Sequence, residues 1–117
     1  MKRGDVYLVD FGKSKDSFSF GKRRPVIIYQ TDKLNYAVAE EIYDYFLVIP
    51  LSTQSDILTD EFRVKIAPKD ALDQPSYAVV NSLCFLHKDS FYQKLTHITE
   101  EEEAEIQKAL VNVFDLG

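Results

Sequence analysis

The residues best suited to chemistry in this sequence are an arginine and two neighbouring hydroxyl residues. Arg24 stands directly before Pro25, at the end of the basic run GKRR. Pro25 fixes its own φ and pushes Arg24 out of the helical region, so the guanidinium is held where a loop becomes a strand. Ser52 and Thr53 follow Pro50 at the end of another apolar run. A guanidinium and hydroxyl groups together can bind a phosphate and stabilise charge on it.

This set of residue types suits metal-free phosphodiester chemistry on RNA. The 2′-hydroxyl of the substrate can be the nucleophile, so the protein has to supply only charge stabilisation and proton transfer. We expect Arg24 to offset the negative charge that grows in the transition state and Ser52 to hydrogen-bond a phosphate oxygen. The alternative for both is structural: Arg24 would lie in a solvated turn before a core strand, and Ser52 in a turn after Pro50.

Other common chemistries have little support in the sequence. His87 and His97 fit no HExxH-type pattern, and Cys84 is the only cysteine, so neither a metal site nor an internal disulfide is predicted. The four glycines are scattered and form no phosphate-binding loop, and no nucleophile-elbow sequence supports a serine triad. We therefore expect a site without a metal ion or a cofactor.

A basic segment precedes the arginine. The 117-residue chain has a formal net charge of −5, which argues against binding nucleic acid through bulk charge. Between residues 13 and 24, however, five cations and one anion give a local charge of +4. Two phenylalanines among these cations suit base stacking, although they could equally anchor the loop on the core. The predicted RNA-binding residues are Lys13, Lys15, Phe18, Phe20, Lys22 and Arg23.

The elements that position these residues are predicted to be mostly β-strands. Five runs are rich in β-branched and aromatic residues, as buried or half-buried strands are. They cover residues 3–11, 24–30, 46–51, 61–67 and 76–86. The last run is long enough to be bent or bulged, and residues 35–41 could form a short helix between the second and third strands.

One C-terminal helix is predicted from its capping signal and its periodicity. Thr99 and Glu102 form a capping-box pair, and the acidic first turn suits the positive end of the helix dipole, so we assign the acidic run no catalytic role. Early strands with one late helix predict an α+β fold or a small barrel, in a single domain over residues 1–117. The apolar stripe that would dock on the sheet is Ile106, Ala109, Leu110 and Val113.

No targeting or membrane signal is visible in the sequence. The N-terminus begins with charged residues and has no apolar signal segment. No stretch approaches the ~20 apolar residues that a membrane helix needs. We expect a cytoplasmic protein that does not bind a membrane.

Taken in order, these segments resemble the MazF/PemK-like toxins, the ribonuclease components of bacterial toxin–antitoxin pairs. The resemblance covers about residues 2–116 and rests on RGDVYLVDF, RRPVIIYQTD, VIPLST, SYAVVNSL and LTHITEEEEAEIQKAL. It implies an SH3-like small barrel of the CcdB/PemK type with a C-terminal helix, assembled as a homodimer. It also implies metal-independent, sequence-specific cleavage of single-stranded RNA, and inhibition by a cognate antitoxin protein.

The resemblance also assigns roles to single positions. Arg24 falls on the active-site arginine of the family's RPV motif. Ser52 falls where the family usually has the threonine of its PLT motif, and Thr53 next to it could substitute.

Several positions depart from the family pattern. The family often has an acidic residue in the loop before RPV, where this chain has Phe18 and Ser19. The family's Asp-Gln pair appears here as Asn81 and Ser82, and the arginine that usually follows appears as Cys84. Asn81 can hydrogen-bond but cannot act as a general base. His87 is a possible substitute, if it reaches the RNA-binding groove that the resemblance implies, because a histidine can exchange a proton near neutral pH.

Three functions follow from these observations. The first is an endoribonuclease toxin, and the second is a catalytically degenerate RNA- or protein-binding module on the same fold. The third is a gyrase inhibitor of the related CcdB branch, which the C-terminal VFDLG does not favour because it lacks the expected aromatic-glycine ending.

Overall fold

A computed structural model describes residues 1–11, 23–54 and 61–117 of the chain. These residues contain seven β-strands and two α-helices. The strands are β1 (Asp5–Asp10), β2 (Arg23–Ile28), β3 (Tyr45–Ser52), β4 (Arg63–Ile66), β5 (Ser76–Val79), β6 (Cys84–His87) and β7 (Phe91–His97). The helices are α1 (Asp32–Ala39) and α2 (Glu100–Phe114). Neither of these helices is long and apolar enough to cross a membrane.

The strands pair antiparallel in the order β4–β5–β3–β2–β1–β7, and β6 pairs with the first half of β3. β3 is therefore central, with β2 along one edge and β6 and then β5 along the other. A 3-10 turn at Val80–Ser82 separates β5 from β6. The bend predicted within residues 76–86 is this turn, and it divides the run into two strands.

The apolar strand residues form two clusters, one on each face of the sheet. The main core lies between the sheet and α2, and Ile27, Ile49 and Ile106 are fully buried in it. On the opposite face, Val26 and Ile28 belong to a second, smaller cluster. Because neighbouring residues of β2 point to opposite faces, this strand is buried on both sides, as its continuous apolar run predicts.

The C-terminal helix begins as its sequence predicts. The Thr99 side chain accepts a hydrogen bond from the Glu102 N–H at 3.1 Å, and Glu102 Oε1 accepts one from the Thr99 N–H at 2.8 Å. Glu102 Oε2 also accepts from the Ala67 N–H at 2.9 Å and pairs with Lys69 Nζ at 3.0 Å. Burial alone would raise the pKa of the Glu102 carboxyl, but these bonds hold it below its ordinary value.

The structure extends the sequence prediction at two points. The helix α1 begins at Asp32, earlier than predicted, and Thr31 caps it by accepting from the Lys33 N–H at 3.4 Å. The strand β7 was not predicted. It pairs with β1 through two register shifts, so its apolar residues do not alternate with a period of two. The predicted class, mostly β with a C-terminal helix, is confirmed.

Candidate functional site

The pairing of β2 with β3 brings Arg24 and Ser52 together. Val26 and Pro50 are the last pair of this ladder, and Arg24 and Ser52 each lie two residues beyond it, where the same register sets them opposite each other. Residues opposite each other in an antiparallel pair have Cβ atoms about 4.5–5.5 Å apart and side chains on the same face. The two residues with the strongest chemical prediction are therefore cross-strand neighbours.

An open groove of about 350 Å³ lies at this end of the two strands. Two of its described lining residues are cationic and none is acidic, so its electrostatic potential favours an anion. The groove brings together Arg24, Ser52 and Thr53 with the predicted RNA-binding residue Arg23. The full set of described lining residues is Arg23, Arg24, Pro25, Leu51, Ser52, Thr53 and Gln54.

The Arg24 side chain lies at the surface. Arg24 is exposed, and within residues 1–11, 23–54 and 61–117 it forms no ion pair with an acid. Its backbone is well held, because Arg24 and Pro25 lie opposite Val9 and Leu8 of β1. A free guanidinium on a rigid strand can make charge-assisted hydrogen bonds to phosphate oxygens at little cost in ordering.

The hydroxyl side of the groove is organised by local hydrogen bonds. Ser52 Oγ accepts from the Gln54 N–H at 3.1 Å, and Ser52 is half-buried. The Gln54 carbonyl in turn accepts from Arg63 Nη1 at 2.8 Å, which ties this segment to β4. Because Ser52 Oγ is occupied as an acceptor, its O–H proton is left to donate to a ligand. Thr53 is exposed beside it.

The Arg23 side chain contacts β7. Its guanidinium carbon lies 4.2 Å from the centre of the Tyr92 ring, in a cation–π contact. Asp10 is its cross-strand neighbour on β1.

Two of the predicted supporting residues are not brought to this groove. Asn81 is exposed in the 3-10 turn after β5. His87 pairs with Tyr45 at the opposite end of β3 from Ser52, which places the two roughly 23 Å apart at ~3.3 Å per strand residue. There His87 Nδ1 accepts from the Asp89 N–H at 3.1 Å. Within one chain, His87 does not reach the groove, because β6 pairs with the first half of β3 and the groove lies at its last residues.

Five of the predicted RNA-binding residues lie outside the described residues, and their roles stay predictions. They are Lys13, Lys15, Phe18, Phe20 and Lys22.

The structure adds Gln54 and Tyr92 to the site and its surroundings. Gln54 directly follows the two hydroxyl residues in the sequence, but no motif indicated that it belongs to the site. Tyr92 lies on β7, the strand that the sequence did not predict. Only its aromatic residue type could have indicated a role in binding. In the described ranges, no three His, Cys, Asp or Glu side chains are grouped as a metal site requires.

The fold is shared with solved toxin structures. An endoribonuclease from a mycobacterial species, solved in complex with its cognate antitoxin, is 22% identical with a TM-score of 0.74, covering 100% of this chain and 97% of that one. The Mycobacterium tuberculosis toxin MazF-mt6 is 18% identical with a TM-score of 0.73, and the match covers 97% of this chain and 98% of that one. A MazE–MazF structure from Deinococcus radiodurans is 12% identical with a TM-score of 0.76, and the match covers 100% of this chain and 97% of that one. At these identities the likeness shows the fold alone.

The family is shown by a match along the sequence itself. The family model described as "PemK-like, MazF-like toxin of type II toxin-antitoxin system" matches residues 2–114. This confirms both the family and the fold, an SH3-like small barrel with a C-terminal helix, that the sequence motifs implied. The chain is therefore a member of the PemK-like, MazF-like toxins of type II toxin–antitoxin systems.

Proposed function

We propose that this toxin is an endoribonuclease that cleaves single-stranded RNA without a metal ion. The observation that supports it best is that Arg24 and Ser52 line one groove, of whose described lining residues two are cationic and none is acidic. Family membership supports the same activity, since the mycobacterial structures of this fold are endoribonucleases by name.

The reaction uses the RNA's own nucleophile. The 2′-oxygen attacks the adjacent phosphorus, the bond from phosphorus to the 5′-oxygen breaks, and the products carry a 2′,3′-cyclic phosphate and a 5′-hydroxyl. The proton leaves the 2′-hydroxyl and another reaches the departing 5′-oxygen. Arg24 donates hydrogen bonds to the non-bridging phosphate oxygens, where charge grows in the transition state, and Ser52 donates its O–H to one of them.

Proton transfer in this proposal goes through solvent. The described lining residues of the groove are arginine, serine, threonine, glutamine and apolar residues, so they include no histidine or carboxylate that could serve as a general base. The rate enhancement then comes mainly from charge stabilisation and from positioning.

The proposal includes two protein partners. A cognate antitoxin is supported by the solved relatives, since a mycobacterial endoribonuclease and a Deinococcus radiodurans MazF were solved with theirs. The cationic groove would accept an acidic segment of such a partner as well as RNA. A homodimer is supported by apolar side chains that one chain leaves exposed near the end of α2, at Val111, Phe114 and Leu116.

The test is an RNA cleavage assay in the presence of EDTA. Wild-type protein should cut single-stranded RNA and leave 2′,3′-cyclic phosphate ends, and Arg24→Ala should leave the RNA intact. Lys108→Ala is the matched control, because Lys108 is an exposed cation on α2 that pairs with Glu105, outside the groove. If wild type and Arg24→Ala leave RNA equally intact, the enzyme proposal is wrong.

The second candidate is a non-catalytic RNA- or protein-binding module on the same fold. One observation favours it: Asn81 and His87 do not reach the groove, so no general base is present among its described residues. In that case wild-type protein should bind RNA with an affinity that depends on Arg24, while long incubation produces no cleaved ends.

A further inference from the structure

We propose that Arg23 and Tyr92 form a stacking site for one base of the bound RNA, beside the groove that holds the phosphate. The inference rests on the proposed RNA-binding function and adds a base-recognition position to it. The base would lie on the outer face of the Arg23 guanidinium, with the Tyr92 ring beneath.

The contact between the two side chains sets the guanidinium over the ring. The guanidinium carbon of Arg23 lies 4.2 Å from the centre of the Tyr92 ring, which is the distance of a cation–π contact. Tyr92 is 52% exposed and Arg23 is exposed, so solvent reaches the stack from outside. Arginine guanidinium planes and aromatic rings are the surfaces on which proteins stack unpaired RNA bases.

A β-bulge presents the tyrosine. Leu8 pairs with Gln93 and Val9 pairs with Phe91, so Tyr92 is the extra residue of β7 and has no partner on β1. Bulges re-aim a side chain without giving up the rigidity of the strand. Phe91 turns inward and packs on Phe46 with ring centres 4.9 Å apart, while Tyr92 remains at the surface.

Arg23, the cation of the stack, also lines the groove that contains the phosphate-binding arginine. Arg23 and Arg24 are consecutive residues of β2, and both line the groove. Side chains of consecutive strand residues point to opposite faces of the sheet, and the groove at the end of β2 is lined by both arginines. A nucleotide with its phosphate on Arg24 could therefore place its own or a neighbouring base on Arg23.

The guanidinium of Arg23 over the Tyr92 ring offers a planar surface, and such a surface suits an unpaired base. The structural alternative is that the stack only fastens β2 to β7 across β1.

The test measures binding of single-stranded oligonucleotides whose 2′-positions are O-methylated, so that cleavage cannot interfere. Fluorescence anisotropy is used to titrate wild type, Tyr92→Leu, Tyr92→Phe and Arg23→Lys. We expect Tyr92→Leu and Arg23→Lys to weaken binding about 5- to 100-fold, the range for the loss of one base stack, and Tyr92→Phe to stay within about twofold. Lys108→Ala, away from the groove, should bind as wild type does.

An abasic scan separates stacking from a structural role. One abasic position in the oligonucleotide should weaken binding to wild type, and the same position should make no difference to Tyr92→Leu. An equal loss in both proteins at every position would overturn the proposal, as would wild-type affinity in Tyr92→Leu. If Tyr92→Leu melts at a much lower temperature, Arg23→Lys decides, because it keeps the charge and changes only the planar surface.

The outcomes also separate this inference from the proposed function. Cleavage that is lost in Arg24→Ala, together with unchanged binding in Tyr92→Leu and Arg23→Lys, leaves the endoribonuclease standing and removes the stacking site. No binding of single-stranded RNA by the wild-type protein would remove both.

Discussion

The carboxylate of Asp5 accepts a hydrogen bond from Nδ1 of His97 at 2.8 Å, and this bond joins β1 to β7. Asp5 is buried and also accepts from the Lys2 N–H at 2.9 Å, while Lys94 Nζ lies 3.3 Å from it. Burial alone would raise the pKa of the Asp5 carboxyl, but the bonds from His97, Lys2 and Lys94 hold it below its ordinary value. Three groups thus stabilise one buried charge at the first residue of β1.

Stability should therefore fall in acid. A carboxyl whose pKa is lower in the folded state contributes stability above its unfolded pKa of about 4, and that contribution is lost as the pH falls through the folded pKa. We expect Asp5→Asn to lower the free energy of unfolding at pH 7 by about 2 kcal/mol and to flatten its decrease between pH 5 and pH 3. Urea denaturation at several pH values measures both. An unchanged pH profile in Asp5→Asn would contradict the assignment.

Replacing Arg24 by lysine should separate charge from geometry. Lysine keeps the positive charge but cannot make the forked pair of hydrogen bonds that a guanidinium makes to a phosphate. We expect Arg24→Lys to lower the single-turnover cleavage rate about 10- to 100-fold, and Arg24→Ala to lower it further. Equal rates for wild type and Arg24→Lys would mean that only a point charge is needed.

The two hydroxyls of the groove should differ in their effects. Ser52 is opposite Arg24 and Thr53 is one residue further along, so we expect Ser52→Ala to lower the cleavage rate about tenfold and Thr53→Val to leave it within about twofold. Ser52→Thr, which keeps a hydroxyl at this position, should retain activity. A larger loss in Thr53→Val than in Ser52→Ala would show that Thr53 supplies the hydroxyl instead.

His87 should be dispensable for cleavage. It lies at the far end of β3 from Ser52, so His87→Ala should leave the cleavage rate and its pH profile within about twofold of wild type. Measuring the rate from pH 5 to pH 8 tests this directly. Loss of a titration near neutral pH in His87→Ala would show that this histidine does reach bound RNA.

Glu102 should be the stabilising member of the acidic run that begins α2. It caps the helix and binds both the Ala67 N–H and Lys69, so Glu102→Ala should lower the free energy of unfolding by about 2–3 kcal/mol. Its exposed neighbour Glu101 is the matched control, and Glu101→Ala should change stability by less than about 0.5 kcal/mol. Equal effects in chemical denaturation would show that the helix dipole alone is at work.

The sequence alone determined the features that depend on a few neighbouring residues. Pro25 and the apolar run after it predicted a rigid strand with Arg24 at its start, and the Thr99–Glu102 pair predicted the start of α2. These signals are local, because they act through backbone sterics and hydrogen bonds within one or two turns of chain. The motif order was enough to identify the family before any pairing of strands was known.

The tertiary structure decided which residues meet. Whether Ser52 lies opposite Arg24, and whether His87 comes near either, depends on the register of strand pairs, which is set by packing across the whole sheet. The bulged strand β7 has no regular period, so neither the strand nor the stack of Tyr92 on Arg23 could be read from the chain. Local residue preferences determine the conformation of a segment. Which strands become neighbours, and in what register, is determined by the burial of both faces of the sheet.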